Sequence, residues 1–362
     1  MTRPGHLREA FVDLYAVPRM TEVRLKNLLD RFGSPEAVLN ADESAAREVE
    51  GVDKELAAAM KGYARSAQTA RRLKEAQAVG IRTTSYADAD YPAALKELRH
   101  SPPVLFARGE VKTEDRLAVA LVGTRRPSQY GREAAQKLAR RLAEHGVTVV
   151  SGLARGVDTC AHQGALAAGG RTIAVLGSGL DVCYPPENRR LLEEIAERGA
   201  VLSEFTLGTG PLAMNFPKRN RVVSGLSRAV LAVEAGEKSG VLNTVAWAID
   251  QGREVYAIPG RIFDRTSIGT NRLLRTGARP ITCVEDILLE LGLALRPDRS
   301  SVVPVADDEK PVLDALTGDP VHVDEICQGL GLPMSVLLGI LMQLELKGLV
   351  RQLPGKLFVR QV

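Results

Sequence analysis

Three glycine-rich turns are the segments of this chain best suited to bind an anion. They are Gly123-Thr124-Arg125-Arg126, Ser151-Gly152-Leu153-Ala154-Arg155-Gly156 and Gly177-Ser178-Gly179, and each follows a short apolar run. Backbone N–H groups in such turns, together with the amino end of a following helix, can hold a phosphate. One turn alone is explained equally well as a tight connection, but three of them, two with arginines, favour an anion site.

A basic segment strengthens this interpretation. The sequence Asn215-Phe216-Pro217-Lys218-Arg219-Asn220-Arg221 has three cations within four residues, and the next acidic residue is Glu234. The apolar residues behind the segment predict that it begins a helix, where cations oppose the helix macrodipole. Binding to phosphates is the simplest reason for cations at that place. With Arg125 and Arg155 they would form a stripe for several consecutive phosphates, which indicates a polymer rather than one nucleotide.

The sequence lacks the usual motifs of cofactor and nucleotide chemistry. Gly177-x-Gly179 has no third glycine for a dinucleotide fingerprint, and the spacing around Gly236 is not that of a Walker loop. Cys160 and His162 stand two apart on a predicted helix, so they point to different faces. We therefore expect no catalytic residue, no cofactor and no metal. The four cysteines form no C-x-x-C pair, and we expect reduced thiols. They are Cys160, Cys183, Cys283 and Cys327.

The elements that must position these segments alternate between strands and helices. Continuous apolar strands separated by amphipathic helices predict an α/β domain with a doubly wound, Rossmann-like parallel sheet over residues 85–293. Ligands of such sheets bind where the strands end at their carboxyl ends, which is where the glycine turns lie. The predicted strands are 117–122, 147–150, 172–176, 200–202, 229–233, 254–258 and 280–284.

Smaller domains are predicted on both sides of this region. Residues 1–84 have short amphipathic helices, with Leu25, Leu28 and Leu29 at helical spacing, which is typical of helix-hairpin-helix (SAM-like) modules and of small bundles alike. A linker is predicted over 294–306, which contains two prolines and two serines. Residues 307–362 predict three helices and a hairpin, the layout of a winged helix.

The third helix of the carboxyl-terminal domain is unusual for a reader of DNA sequence. The stretch 333–346 contains no Lys or Arg, whereas DNA-reading helices usually carry basic and polar residues. We therefore favour an accessory or protein-contacting role for this domain, which weakens the interpretation of the chain as a transcription regulator.

Composition excludes several classes of protein. The chain has 362 residues, of which 45% are hydrophobic and 25% charged, as in ordinary globular proteins. Aromatic residues make up only 4%, which argues against a surface built on many stacked bases. The net charge of +4 is too small to establish a nucleic-acid partner by itself. No apolar run reaches the roughly 18 residues of a membrane span, and no signal-peptide core is visible, so we expect a cytoplasmic protein.

Five segments, in this order along the chain, resemble the motifs of the DNA-processing protein A family (DprA, also called Smf). The resemblance covers essentially the whole predicted Rossmann-like region, and the flanking domains also match layouts in that family. The segments are Val122-Gly-Thr-Arg-Arg-Pro-Ser128, Ser151-Gly-Leu-Ala-Arg-Gly-Val-Asp-Thr-Cys-Ala-His162, Ala174-Val-Leu-Gly-Ser-Gly-Leu-Asp-Val-Cys-Tyr-Pro-Pro186, Phe216-Pro-Lys-Arg-Asn-Arg221 and Tyr256-Ala-Ile-Pro-Gly260.

This resemblance implies a non-enzymatic protein of natural transformation and homologous recombination. Members of the family bind and protect incoming single-stranded DNA, displace or accommodate single-strand-binding protein, load the RecA recombinase and act as homodimers. The strand is expected to lie along the glycine turns and the basic motif. The residues implied here are Gly123, Arg125, Ser151, Gly152, Arg155, Gly156, Lys218, Arg219, Asn220 and Arg221.

An enzyme is the competing hypothesis. Rossmann-like phosphoribohydrolases also place glycine turns and an arginine around a sugar-phosphate. Their P-G-G-x-G-T-x-x-E loop is absent here, where Glu234-Ala-Gly-Glu-Lys-Ser-Gly240 takes the comparable position. Cleavage of a glycosidic bond needs a carboxylate beside the sugar, and Asp158, Asp181 and Glu204 are the candidates near strand ends. We expect these acids to cap helices or to pair with arginines instead.

Overall fold

The computed structural model describes residues 4–15, 17–61, 67–294 and 305–361. They belong to two compact units, Met1–Leu295 and Arg296–Val362. The first unit contains the amino-terminal helices and the main sheet, and the second contains the carboxyl-terminal domain. Most of the predicted linker, residues 295–304, lies outside the described residues.

The amino-terminal module consists of short helices whose ends follow local capping rules. The hydroxyl of Thr21 accepts a hydrogen bond from Arg24 N at 3.3 Å at the start of the second helix. Gly33, with φ of +81°, ends that helix. Leu25 and Leu28 are fully buried, as their spacing predicts. The helices are α1 (Pro4–Tyr15), α2 (Glu22–Phe32), α3 (Pro35–Leu39), α4 (Glu43–Arg47), α5 (Lys54–Lys61) and α6 (Ala67–Ala78).

The main sheet is mostly parallel, which confirms the predicted Rossmann-like class. Its strand order is β1-β2-β6-β5-β4-β3-β7-β8-β9, and the pairs from β6 through to β9 are parallel. Two antiparallel strands, β1 and β2, extend one edge, and the sequence analysis did not predict them. The strands are β1 (Arg82–Ser85), β2 (Val104–Gly109), β3 (Ala118–Val122), β4 (Thr148–Ser151), β5 (Thr172–Val175), β6 (Ala200–Ser203), β7 (Ala229–Ala232), β8 (Glu254–Ala257) and β9 (Arg279–Pro280).

Helices cover both faces of the sheet, so its central strands are buried on both sides. Alternate residues of β3 enter two different cores: Ala118 and Ala120 pack towards α11 and α12, whereas Val119 and Leu121 pack towards α8 and α9. Each fully buried Leu or Val contributes about 1.5–3 kcal/mol of transfer free energy. The helices are α7 (Ala93–Lys96), α8 (Gln129–Glu144), α9 (Val157–Ala167), α10 (Arg189–Arg198), α11 (Asn215–Gly225), α12 (Val241–Asp250), α13 (Ile268–Arg275) and α14 (Glu285–Glu290).

The carboxyl-terminal unit is a winged helix, as predicted. Its three strands pair antiparallel in the order β10-β12-β11. Leu337, Leu341 and Leu344 of the third helix are fully buried in the core of this unit. The elements are α15 (Lys310–Asp314), β10 (Val321–His322), α16 (Val323–Leu330), α17 (Met334–Leu346), β11 (Val350–Leu353) and β12 (Leu357–Arg360).

Among the helices of the described ranges, α8 is the longest, with 16 residues. No single helix among them is both long and apolar enough to cross a bilayer. By length and composition alone, α16 and α17 taken together reach the limit, and the two helices are bent by 114° at their junction.

Candidate nucleic-acid interface

A cavity of about 640 Å³ opens at the carboxyl ends of β3 and β4, beside α11 and the start of α12. In the sheet, β3 lies between β4 and β7. After β3 the chain forms β4, β5 and β6 on one side of it, and then returns to form β7, β8 and β9 on the other side. Crevices form at such a switch point because the loops on its two sides diverge. We call this cavity the cleft.

The cleft contains half of the predicted site residues. Gly123, Arg125, Gly152, Arg219 and Asn220 line it. The other five do not line it, although all of them are described. These are Ser151, Arg155, Gly156, Lys218 and Arg221.

The glycine turns after β3 and β4 pack against each other without side chains between them. Gly156 has φ of +82°, and a Cβ atom there would come within 2.5 Å of the Thr124 carbonyl oxygen. A Cβ atom on Gly123 would collide with the side chain of Val157. Both glycines are therefore required by close approach, and the turns expose backbone at the cleft.

Arg219 forms the floor of the cleft rather than a projecting contact. Its side chain is only 4% exposed, and Nη1 donates hydrogen bonds to Gly152 O at 2.8 Å and to Val175 O. The guanidinium thus ties the end of β4 to the end of β5. Burial lowers the pKa of Arg219 to about 10, although Asp158 opposes this change. The group remains charged at neutral pH, and Asp158 lines the cleft beside it.

Arg125 supplies the cation at the mouth of the cleft. It is exposed, and its guanidinium lies over the Phe216 ring, 5.3 Å from the ring centroid. Phe216 also contacts Tyr184, with ring centroids 5.7 Å apart. These contacts orient a charged group above an aromatic wall while leaving its donors open to solvent.

Lys218 and Arg221 face a different cluster, shared with the amino-terminal module. Arg221 is buried and donates to both oxygens of Glu204, at 2.7 and 2.8 Å, and to Glu22 at 2.8 Å. Lys218 Nζ donates to the Tyr15 hydroxyl at 2.6 Å and lies 2.8 Å from Glu22. Burial would raise the pKa of Glu22, but Arg221 and Lys218 lower it to about 2. Two of the three cations of the basic segment are therefore neutralised by acids. We name Tyr15, Glu22, Glu204, Lys218 and Arg221 the anchor cluster.

Ser151 and Arg155 occupy contrasting places beside the cleft. Ser151 is fully buried, and its hydroxyl donates to Leu121 O at 2.7 Å, which joins β4 to β3. Arg155 is exposed and makes an ion pair with Glu187. An exposed ion pair of this kind is weak in water, so a phosphate can replace the carboxylate.

The three acids that the enzyme hypothesis needs are all hydrogen-bonded. Asp158 lines the cleft and accepts hydrogen bonds from Gly152 N and Ala154 N at 3.2 and 3.3 Å. Burial raises its pKa. Asp181 accepts from Gly208 N at 2.9 Å, and Glu204 belongs to the anchor cluster. In the parts of the chain that the structure describes, no His, Cys, Asp and Glu side chains gather as a metal site.

His162 is a buried neutral base below the cleft. Its Nδ1 lies 2.7 Å from the Thr172 hydroxyl, which itself donates to Val149 O at 2.7 Å. Since that hydroxyl has one hydrogen, Nδ1 of His162 must be the donor. Burial lowers the pKa of His162 to about 3, and nearby Arg219 acts in the same direction. Cys160 is half-buried, and burial raises the pKa of its thiol.

The sequence analysis missed several residues that line the cleft. Asn243 and Thr244 at the start of α12 contribute polar groups, and Asn220 Nδ2 donates to Asn243 Oδ1 at 3.2 Å. Ser239 lines the cleft too. A signal was available in the segment 236–240, another glycine-rich turn after a strand. Because its spacing is not that of a Walker loop, this turn by itself did not predict a phosphate site.

Family models match three regions of the chain. The model described as DNA recombination-mediator protein A matches residues 82–292. The DprA winged helix domain matches residues 296–356, and the SAM-like helix-hairpin-helix tandem matches residues 11–65. These regions cover the sheet domain, the winged helix and the amino-terminal helices.

Curated relatives and solved structures agree with these matches. Protein Smf of Synechocystis is 34% identical over 378 residues, covering 94% of this chain and 95% of the relative. DNA processing protein DprA of Streptococcus pneumoniae is 44% identical over 206 residues, covering 57% and 73%. The X-ray structure of the pneumococcal DprA matches with a TM-score of 0.70 and 33% identity, covering 80% of this chain and 99% of that one.

A second solved structure is DNA processing protein A of Helicobacter pylori, described for its single-stranded DNA binding mode. It matches with a TM-score of 0.53 and 34% identity, covering 58% of this chain and 95% of that one. A family model that spans more than half of the chain and a relative matched along nearly its whole length lead to one conclusion. The chain belongs to the DNA-processing protein A (DprA/Smf) family.

Proposed function

We propose that this protein binds single-stranded DNA without base preference, through the phosphates, in the cleft. The observation that carries the proposal is the arrangement of Arg125. Its exposed guanidinium is held over Phe216 at the mouth of a crevice whose walls are glycine turns and whose floor is the charged Arg219. Backbone donors and fixed cations bind phosphate oxygens without reading bases. Arg155, beyond the cleft, would extend the path once a phosphate displaces Glu187.

Among the ten predicted residues, the proposed roles differ. Arg125 and Arg155 contact phosphates, and Gly123, Gly156 and Asn220 offer backbone or amide groups to the DNA strand. Gly152, whose N–H and carbonyl are bonded to Asp158 and Arg219, has no side chain and so lets the DNA come close to the turn. Arg219 and Ser151 hold the ends of β4, β5 and β3 in place. Lys218 and Arg221 fasten the basic helix to the amino-terminal module.

The wider role proposed for the protein is protection of incoming DNA and loading of the RecA recombinase. It would act as a homodimer in the cytoplasm during natural transformation and homologous recombination, and displace or accommodate single-strand-binding protein. Family membership supports these steps. The Helicobacter pylori relative, described for its single-stranded DNA binding mode, supports the choice of a single strand over a duplex.

We propose further that the cleft does no chemistry. The phosphoribohydrolase alternative needs a carboxylate free to act on a sugar, and Asp158, which lines the cleft, accepts two backbone hydrogen bonds. Glu204 is held by Arg221. Both carboxylates are therefore engaged in holding the protein's own structure, which we propose as their role.

A titration separates the two hypotheses. Fluorescence anisotropy would compare oligo-dT of increasing length, a duplex and deoxynucleoside monophosphates, and chromatography would measure released free base. We expect affinity to rise with length until the path is filled, weaker binding of the duplex and no free base. Equal affinity for a mononucleotide and a long oligonucleotide, with release of base, would establish the phosphoribohydrolase instead.

A further inference from the structure

We propose a second part of the binding surface, a base-stacking platform made by Tyr130 and Phe263 at the carboxyl edge of β3, β7 and β8. The inference rests on the proposed function, since it extends the path of the single strand beyond the cleft. The platform would bind the bases of the single-stranded DNA, whereas the cleft would bind its phosphates. The proposed ligand of the exposed aromatic side chains at this edge is therefore a nucleic acid.

Exposure of the two rings is the first observation. Of the aromatic side chains whose burial the structure describes, only Tyr130 and Phe263 are largely exposed, at 57% and 91%. An aromatic side chain normally buries a large apolar area, so solvent exposure gives up that stabilisation. Proteins that bind single strands without sequence preference display rings in this way, because every base has a face that stacks.

Tyr130 lies at the start of α8 and Phe263 in the turn after β8, and the segments next to both rings are bonded to the connection after β7. Glu234 accepts hydrogen bonds from Thr124 N and Ser128 N, at 2.8 and 2.9 Å, just before Tyr130. On the other side, Ala235 N donates to Thr266 O at 2.7 Å, three residues after Phe263. The segments beside both rings are therefore held by adjacent residues of one short connection.

This edge also has the charge that a nucleic acid requires. The turns 123–128, 234–240 and 259–267 hold five exposed cations and two exposed acids. The cations are Arg125, Arg126, Lys238, Arg261 and Arg265, and the acids are Glu237 and Asp264. A surface that binds an apolar protein partner does not require this excess of positive charge. A surface that binds a polyanion does require it.

The platform is continuous with the cleft. Arg125, Arg126, Ser239 and Gly240 line the cleft and belong to the same turns after β3 and β7. Neighbouring strands lie roughly 4.8 Å apart, so β3 and β8 are about 10 Å apart across β7. At roughly 3.4 Å for each stacked nucleotide, about three nucleotides of single-stranded DNA cover that width. Single-stranded DNA that leaves the cleft towards β8 thus needs about three nucleotides to reach the edge from which the Phe263 turn extends.

Binding of bases and binding of phosphates can be measured separately. Anisotropy titrations of the full chain would use oligo-dT and an abasic oligonucleotide of equal length, which keeps the phosphates and lacks the bases. The variants are Phe263→Ala, Tyr130→Ala and the ring-preserving Phe263→Tyr. Ile249→Ala serves as the matched control, because Ile249 is 66% exposed at the far end of α12.

We expect Phe263→Ala and Tyr130→Ala each to weaken oligo-dT binding by about 5- to 100-fold, and to leave abasic binding unchanged. Phe263→Tyr and Ile249→Ala should bind like the unmodified protein. Equal oligo-dT affinity in both alanine variants would overturn the platform, and so would an equal loss for abasic and ordinary strands. A loss that accompanies a smaller particle in sedimentation velocity would also overturn it, because the rings would then join two copies. If the unmodified protein binds no oligo-dT, the proposed function fails, not the platform alone.

Discussion

The carboxylate of Glu22, on α2, accepts a 2.8 Å hydrogen bond from Nη2 of Arg221, in the middle of the basic helix α11. Arg221 also holds both oxygens of Glu204, at the end of β6. One buried guanidinium therefore joins the amino-terminal module, the sheet and the helix that forms one wall of the cleft. An arginine suits this position because its planar donor fork binds two carboxylates at once.

Removal of the Glu22 charge should loosen the amino-terminal module. In Glu22→Gln, Arg221 keeps Glu204 but loses one charged partner in a buried setting, which costs about 1–3 kcal/mol of unfolding free energy. Urea unfolding followed by circular dichroism measures this loss. Glu48→Gln is the matched control, since Glu48 forms an exposed pair with Arg31 on the same module. Equal stability of the two variants would contradict a structural role for the anchor cluster.

The anchor cluster should also make stability depend on acidic pH. Because the folded pKa of Glu22 is about 2 and its ordinary value is 4.5, the unfolded chain binds more protons between these values. The stabilisation is present above pH 4.5 and is lost as the pH falls towards 2, by at most about 3 kcal/mol. Unfolding free energies measured from pH 7 to pH 2.5 should fall less steeply below pH 4.5 in Glu22→Gln. Parallel curves for the two proteins would show that Glu22 is not ion-paired.

His162 should make the stability of the fold depend on pH in a higher range than Glu22 does. Its folded pKa is about 3 against an ordinary 6.5, so the unfolded chain gains a proton as the pH falls below 6.5 while the folded chain does not. Stability should drop by about 1.4 kcal/mol for each pH unit between 6.5 and 4.5. His162→Asn should remove this slope, although its stability at pH 7 will be lower because the contact with Thr172 changes. An unchanged slope would mean that another group titrates there.

Arg125→Ala should weaken single-stranded DNA binding without changing the thermal midpoint, because the side chain is exposed. Loss of one phosphate contact should reduce the slope of log K against log salt by about 0.7. Arg190→Ala is the control, since Arg190 is 93% exposed on α10 and pairs along its own helix with Glu194. A salt slope equal to that of the unmodified protein would remove Arg125 from the interface.

Arg219→Ala should behave differently from Arg125→Ala. The buried guanidinium donates to the carbonyls of Gly152 and Val175, and its removal takes a charged donor away from two buried acceptors. We expect a loss of about 2–4 kcal/mol of stability together with weaker binding. Arg219→Lys should recover part of the stability, since it restores a charge and one donor. A thermal midpoint unchanged in Arg219→Ala would show that the residue faces the ligand instead.

The class of fold and the place of the cleft were predictable from the sequence, because both depend on local patterns. Apolar strands such as Ala118–Val122 and the glycines that follow them make a parallel sheet with exposed turns at one edge. The strand β1 was missed because Arg82–Ser85 is short and polar. Its pairing with Val104–Gly109 depends on tertiary contacts with β6.

The roles of the cations were decided only by the tertiary structure. In the sequence, Lys218, Arg219 and Arg221 form one basic cluster, and a cluster of cations predicts a phosphate site. The fold directs Lys218 and Arg221 to the acids Glu22 and Glu204, but it directs Arg219 to backbone carbonyls. Arg221 meets Glu22, which lies 199 positions earlier, and Arg219 turns inwards to carbonyls from two strands. Two things determine whether a cation binds a ligand or the protein itself. One is the direction of its side chain on the helix, and the other is the set of acids that long-range packing brings near. Neither can be read from local sequence, because each depends on residues far apart in the chain.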